Sequence, residues 1–481
     1  MGKSIMIQGS GSNVGKSLLV AGMCRAFWHR GLMVKPFKPQ NMSNNAAVTE
    51  DGGEIGRAQA LQAMAANIAL HSDLNPVLLK PESDIGSQVI LQGKRLTTVQ
   101  AREYARLKPK LLNAVMDSFE RVKNSCDLVI VEGAGSPAEV NLRAGDIANM
   151  GFAEAANVPV LLAGDIDRGG VIAQIVGTYA VLPKPDRDRI KGFVINKFRG
   201  DPTLFDDGLS FIVEHTGWHG LGVIPWFQAA NTLPAEDVMD LGSKHGGAFK
   251  IAVPCLSRIA NFDDLDPLKL DPKISIELVK AGQALPGDAD LILIPGSKST
   301  IADLAFFRAQ GWDIDLKAHI RRGGHVLGIC GGYQMLGREI IDMDGVEGPP
   351  ARVAGLGHLD VQTRMQADKH TANVTAEYLR NGIMLQGYEI HMGHTTGPDR
   401  GRGWLAIGAR REGAQSADGK IRGCYVHGLF SSDKFREVFL SELGHDASSF
   451  DYSKTINDTL DQLAKHLETH MDLDLILRLA K

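Results

Sequence analysis

A chain of 481 residues is too long for one ordinary hydrophobic core, so two or three domains are expected. Its hydrophobic fraction of 44% and charged fraction of 22% are those of a soluble globular protein, and a formal net charge of −4 gives no support for a nucleic-acid or anionic-membrane partner. The five cysteines (Cys24, Cys126, Cys255, Cys330 and Cys424) form no C-x-x-C pair and are odd in number, which argues against a disulfide framework or a zinc site and fits a reducing compartment.

Met1-Gly2-Lys3-Ser4-Ile5-Met6-Ile7 leads straight into a glycine-rich loop without a signal-peptide core. No apolar stretch is long enough to span a bilayer, so a cytoplasmic location is expected. Short β-type runs then alternate with helical patterns, which predicts an α/β protein of two doubly wound domains with largely parallel sheets. In the first half the strands are expected at 4–7, 128–131, 158–163 and 192–195, and the helices at 17–30, 56–69 and 108–124. A stretch rich in Gly, Asp and Lys marks a boundary. The division read from the pattern is a first domain at 1–235, a linker at 236–248, a second domain at 249–445 and a helical extension at 446–481. Strands of the second domain are expected at 250–253, 291–294, 325–329 and 423–426. The extension reads as a polar turn and one amphipathic helix.

The first chemical centre follows the first strand. Gly9-Ser10-Gly11-Ser12-Asn13-Val14-Gly15-Lys16-Ser17 enters a helix at once. Backbone N–H groups of Asn13, Val14 and Gly15 can converge on phosphate oxygens, with the helix N-terminus adding partial positive charge. Lys16 would neutralise the outer phosphates and Ser17 would ligate Mg²⁺. The strict phosphate-loop spacing needs Gly at position 10; Ser10 stands there, and the glycine lies one residue earlier. Glu132, at the tip of a buried-strand pattern, is the first acidic metal ligand expected. Glu54 is a second candidate, and equally reads as a helix-start carboxylate. Lys35 and Lys38 flank Pro36-Phe37 in what reads as a short basic loop, facing phosphate, substrate or solvent. Asn196 closes a strand and is a candidate contact for the nucleotide base, or a turn residue.

The second centre is Gly328-Ile329-Cys330-Gly331-Gly332, set between a strand pattern and a helix pattern. A strand, a sharp glycine-flanked turn and a helix make a nucleophile elbow, here with Cys in the reactive position. The helix N-terminus favours the thiolate. Of 15 histidines, His427 is the best placed base, because Gly423-Cys424-Tyr425-Val426 is strand-like and His427 ends it. Cys424, inside that run, reads as core. The N–H groups of Gly296 and Gly331 are the expected oxyanion donors.

These residues resemble known families. The elbow with His427 looks like the glutaminase half of class I glutamine amidotransferases. The phosphate loop, Lys35-Pro36-Phe37-Lys38-Pro39 and Glu132-Gly133-Ala134-Gly135 resemble the ATP-dependent, carboxylate-activating fold of dethiobiotin synthetase, which shares the glycine shift. Fused in this order, the halves resemble the cobyrinic-acid-amidating enzymes. Gln40–Asn45, Glu54–Gln59, Gly164–Gly170, Asn196–Asp201 and Gly387-Tyr388-Glu389-Ile390-His391 narrow the likeness to the cobyric acid synthase family, over nearly the whole chain.

The resemblance implies ATP, Mg²⁺ and glutamine, and a corrinoid polycarboxylate as substrate. The b, d, e and g carboxylates of adenosylcobyrinic acid a,c-diamide would become amides through an acyl phosphate, with Cys330 and His427 releasing ammonia along a sheltered path. A nucleic-acid or membrane partner is not expected; assembly into a homo-oligomer is left open. An a,c-diamide synthase is the neighbouring alternative, and a P-loop regulatory or partitioning ATPase is the alternative from another class. The usual triad has Glu two residues after its His, whereas Leu429 stands here. What orients His427 is therefore open, with Glu389 a candidate in sequence terms only.

Overall fold

The apolar runs of the first half stack side by side. In the computed structural model, which describes residues 2–82, 86–235, 242–446 and 448–481, they build a six-stranded, wholly parallel sheet. Its order is His219–Pro225, Ile190–Phe198, Val160–Asp165, Lys3–Gly9, Leu128–Glu132 and Val34–Phe37. Near-continuous burial of Leu128–Glu132 and Val160–Asp165 is what a strand covered on both faces requires. Phe37, Phe119 and Phe152 pack ring to ring on one face, with centroids 5.2–5.6 Å apart.

The chain divides into two compact units, 1–43 with 49–233 and 456–481, and 44–48 with 234–455. The expected single extension is thus split. Its first part stays with the second unit. The remainder returns to the first as two helices, Tyr452–His470 and Leu473–Leu479. Leu463 and Leu467 press on Gly22 of helix Lys16–His29, where a Cβ would lie 2.6 Å from Leu467. Arg25 reaches Asp461 at 2.6 Å, and the Ser4 and Lys481 backbones exchange hydrogen bonds. Ile456, Leu460, Leu463 and Leu467 are fully buried, each worth about 1.5–3 kcal/mol in area removed from water.

The second unit carries a parallel run in the order Ile274–Val279, Phe249–Pro254, Leu291–Ile294, His325–Ile329 and Ile421–Cys424, ending in antiparallel Ala414–Gln415. Beside it lies a mainly antiparallel sheet built on the long hairpin Gln362–Tyr378 and Ile383–Thr396. That hairpin, and the three antiparallel strands Val77–Pro81, Gly86–Leu91 and Lys94–Gln100 of the first unit, were not among the expected elements.

Boundaries also moved. The helix expected at 108–124 runs Ala101–Lys123, because Gln100 and Glu103 form a capping box that sequence periodicity did not register. Gly56 lies outside its helix, which is Arg57–Ala65. Of the linker expected at 236–248, residues 236–241 lie outside the described residues. The rest is docked, with Lys244 bridged to Ile276 and the Leu278 N–H donating to Ser243 Oγ.

The strand expected at 423–426 breaks at Tyr425. Ile421–Cys424 belongs to the parallel sheet, while Val426–His427 pairs with Tyr388 and Glu389 of the antiparallel one. His427 therefore does not end a strand of the parallel sheet, as its sequence suggested. It reaches the same end of that sheet because the chain crosses between sheets one residue after Cys424.

Candidate active sites

Two constellations form, one per unit. In the second unit, strand His325–Ile329 delivers Cys330 into the turn and helix Gly331–Leu336 carries the chain away. Cys330 sits at φ +52°, ψ −105°, a conformation that costs a non-glycine residue about 1–3 kcal/mol and is typical of a nucleophile elbow. Its own backbone is held: the Cys330 N–H donates to the Cys424 carbonyl at 2.8 Å and the Gln334 N–H donates back at 3.1 Å. The turn fits only because Gly332 lacks a side chain, since a Cβ there would lie 2.1 Å from the Ile294 oxygen.

His427 is fully buried. Its Nδ1 donates to Asp264 Oδ2 at 2.7 Å, and the Gly428 N–H donates to Asp264 Oδ1 at 2.6 Å. Tyr388 stacks on the imidazole, centroids 5.0 Å apart and planes 13° off parallel, while its hydroxyl donates to Asp263 at 2.9 Å. Nε2 has no close hydrogen-bond partner and is left for the Cys330 sulfur. Burial alone would push the His427 pKa down. The Asp264 carboxylate and the Cys330 thiol outweigh it and raise the value from 6.5 to about 10.

A raised folded-state value stabilises the fold fully below the unfolded value of 6.5, and that contribution is lost as pH rises through about 10. Asp264→Asn is expected to bring the pKa of His427 down, to move the alkaline limit of glutamine hydrolysis to lower pH, and to lower kcat by about 10²–10⁴-fold. A pH–rate profile checks it; an unmoved alkaline limit would assign the orientation of His427 to another group.

Asp264 is the residue that sequence reasoning missed. It lies on a 3-10 turn, Phe262–Leu265, in sequence far from its histidine. The available signal was the acidic doublet in Asn261-Phe262-Asp263-Asp264, in the loop after the first strand of the second half. Glu389, the earlier candidate, is corrected: its carboxylate is paired with Arg410 at 2.7 Å and His370 at 3.1 Å. Strand alternation explains the difference, because the neighbouring Tyr388 faces His427 and Glu389 points to the other side of the sheet. Gly296 and Gly331, the proposed oxyanion donors, both border the pair. A Cβ on Gly296 would be 3.2 Å from His427 Cε1, and one on Gly331 would be 2.7 Å from the Ser297 nitrogen.

In the first unit the loop between Gly9 and Lys16 lies at the C-terminal edge of the parallel sheet. Gly15 caps the helix at φ +93°, and Asn13 also adopts positive φ. Lys16 Nζ curls over the loop and reaches the Gly135 carbonyl at 3.5 Å. Glu132 is buried at the tip of its strand. Ser17 Oγ and Lys38 Nζ each donate to its Oε1 at 2.8 Å, and Gln62 Nε2 donates to Oε2 at 2.6 Å. Burial would raise the Glu132 pKa, but Lys38, Gln62 and Lys16 together hold it below the usual carboxylate range.

Gln59, quoted from sequence only within the stretch Glu54–Gln59, and Gln62, not singled out at all, are spaced one helical turn apart on Arg57–Ala65, an i, i+3 spacing that was legible. Ser17 and Glu132 thus come together as proposed metal ligands. Glu54, the third, is held by Lys80 in a buried ion pair of 2.8 Å. Asn196 lies beneath the loop, where its amide donates to the Val14 carbonyl at 2.8 Å; Lys197 does the same for Asn13 at 2.6 Å. The Lys35 expectation is corrected. It lies in strand Val34–Phe37, not a loop, and its ammonium donates to Ser125 Oγ, ahead of the strand whose far end carries Glu132.

Residues 5–240 match the model of the CobQ/CobB/MinD/ParA nucleotide binding domain, and 250–435 that of the CobB/CobQ-like glutamine amidotransferase domain. Fold and matches together define a nucleotide-binding domain fused to a glutamine amidotransferase domain. The chain is 64% identical over 476 residues to a cobyric acid synthase of Ruegeria sp. (strain TM1040), covering 99% of this chain and 98% of that one. It is 62% identical to one of Rhodobacter capsulatus and 60% identical to one of Bradyrhizobium diazoefficiens, in each case over at least 99% of both chains. The chain belongs to the cobyric acid synthase family, and is an amide-forming enzyme with a glutamine amidotransferase domain. Among the described residues no helix is long and apolar enough to cross a membrane.

Proposed function

We propose that this enzyme converts adenosylcobyrinic acid a,c-diamide to adenosylcobyric acid, amidating the b, d, e and g carboxylates with ammonia drawn from glutamine and with ATP as activator. The observation that carries this reading is the presence of one chemically complete constellation in each unit: Cys330 with His427–Asp264 for nitrogen release, and Lys16, Ser17, Lys38 and Glu132 for phosphoryl transfer.

Cys330 thiolate attacks the glutamine amide carbon, and the N–H groups of Gly296 and Gly331 receive the developing oxyanion. His427, cationic at neutral pH, gives its proton to the departing nitrogen, so ammonia leaves and a thioester remains. The now neutral imidazole takes a proton from water, which displaces glutamate and restores the thiolate. Asp264 keeps the imidazole in the tautomer that points Nε2 at the reacting atoms throughout.

In the other unit a corrin carboxylate oxygen attacks the γ-phosphorus of ATP and ADP departs. Lys16 spreads the charge on the transferring phosphoryl group, and Lys38, ion-paired with Glu132, would meet the substrate carboxylate or the same phosphate. Ser17 Oγ and Glu132 Oε1, two hard oxygens 2.8 Å apart, suit Mg²⁺, which would screen the β- and γ-phosphates. Ammonia then attacks the acyl carbon and phosphate leaves, a far better leaving group than oxide. Only unprotonated ammonia is nucleophilic, so it has to reach that carbon before it acquires a proton.

Mass spectrometry of the corrinoid after incubation with ATP, Mg²⁺ and amide-¹⁵N glutamine tests the reading. Four labelled amides on the a,c-diamide are expected. Label gained at only two positions of the unamidated ring would instead make the chain an a,c-diamide synthase. Glu132→Gln is expected to weaken the Mg²⁺ dependence and lower ATP-driven amidation by about 10²–10³-fold while leaving glutamine hydrolysis intact, measured as glutamate release beside product formation.

A further inference from the structure

The long hairpin of the second unit places two imidazoles and a carboxylate on one sheet face. Its register sets His370 opposite His391, and Glu389, two residues before His391, projects to the same side. One ligand atom from each of the three lies within 4.8 Å of the other two.

Among the described residues, two potential ligand atoms of this trio have no hydrogen-bond partner. His391 Nδ1 lies 2.8 Å from the Gly393 carbonyl, which accepts its proton and leaves the lone pair on Nε2. That Nε2 is buried without a hydrogen-bond partner, and so is Oε1 of the fully buried Glu389. Each is an acceptor, so neither can satisfy the other, and burying such an atom unsatisfied is costly. A backbone carbonyl that orients an imidazole while the opposite nitrogen stays free is the usual support behind a metal-binding histidine.

We propose that His370, Glu389 and His391 bind a divalent transition cation of the Zn²⁺ class, at a site distinct from the Mg²⁺ position in the phosphate loop. Two imidazoles and one carboxylate favour such a cation over Mg²⁺, and three protein ligands leave a coordination position open. His370 Nε2 now donates to Glu389 Oε2 at 3.1 Å; on binding its proton moves to Nδ1 and Nε2 becomes a ligand. Arg410 is the competitor, since it also donates to Glu389 Oε2 at 2.7 Å. It is half-exposed and donates to Glu412 as well, at 2.9 Å, so it stays paired when Glu389 turns to a metal. Ile390, between two of the ligands, offers its carbonyl to Cys330 Sγ at 3.7 Å. Occupancy would therefore fix the strand that backs the nucleophile.

The test is a titration of the full chain with Co²⁺ in the presence of excess Mg²⁺, read by visible absorption. One equivalent is expected to give the intense d–d bands of a low-coordinate nitrogen and oxygen site, without sulfur charge transfer, and to be displaced by Zn²⁺. His370→Ala, at a half-exposed position that the core does not depend on, and Glu389→Gln are each expected to weaken binding at least about tenfold, with Cys330→Ser unchanged. The proposal is overturned if the wild-type chain gives no such bands. Bands that survive His370→Ala, or that disappear with Cys330→Ser, overturn it equally.

Discussion

Cys330→Ala is expected to abolish glutamine-dependent amidation, by on the order of 10⁴-fold or more, while ammonium salts at alkaline pH still support product formation. The sulfur is the only atom removed. The positive φ of residue 330 strains alanine as it strains cysteine, and the backbone bonds to Cys424 and Gln334 persist, so the elbow should keep its shape. Among the described residues, the thiol's hydrogen-bond partner is the Ile390 carbonyl of its own unit. Free ammonia therefore replaces the missing step, and the rate should climb with pH as ammonium deprotonates. Parallel assays with glutamine and with ammonium chloride decide the matter. Equal loss from both sources would mean that the two units do not divide the labour as proposed.

Lys16→Ala is expected to remove amidation from either nitrogen source, by about 10²–10³-fold, equivalent to about 2.7–4 kcal/mol of transition-state stabilisation. The ammonium lies over Gly9, within reach of the Gly135 carbonyl, where the outer phosphates would sit. Helix Lys16–His29 is capped by Gly15 and packed along its buried face, neither of which requires the lysine. Glutamate release, which we assign to Cys330 and His427, should persist. Full amidation in the variant would place the phosphate site elsewhere in the chain.

Both constellations were largely legible in the sequence, and for one reason. A phosphate loop and a nucleophile elbow are local: strand, glycine turn and helix lie within a dozen residues, so spacing alone fixes which atoms converge. Lys16 and Ser17, or Cys330 and Gly331, could hardly have been placed otherwise. Glu132 was readable because a buried run ending in a carboxylate puts that group at a strand tip.

What resisted sequence reading was every contact made across the fold. Asp264 meets His427 only because a 3-10 turn and a strand distant in sequence converge at one sheet edge, and no periodicity records that. Lys35 and Lys38 looked equivalent flanking Pro36-Phe37, yet strand geometry sends one to Ser125 and the other to Glu132. Glu389 was the candidate partner of His427, yet the alternation of a single strand turns Tyr388 to the imidazole and Glu389 to Arg410 and His370.

By itself, then, the sequence determined the α/β class, the order of the two halves, the strand–turn–helix elbow at Cys330, the glycine loop before Lys16 and the family. Tertiary structure alone decided that residues 456–481 pack on the first unit, that the strand before His427 changes sheets at Tyr425, and which carboxylate orients the imidazole. The physical reason is that local turns are dictated by steric rules acting over a few residues. Partners that meet from distant segments are chosen by burial, which depends on how the whole sheet closes.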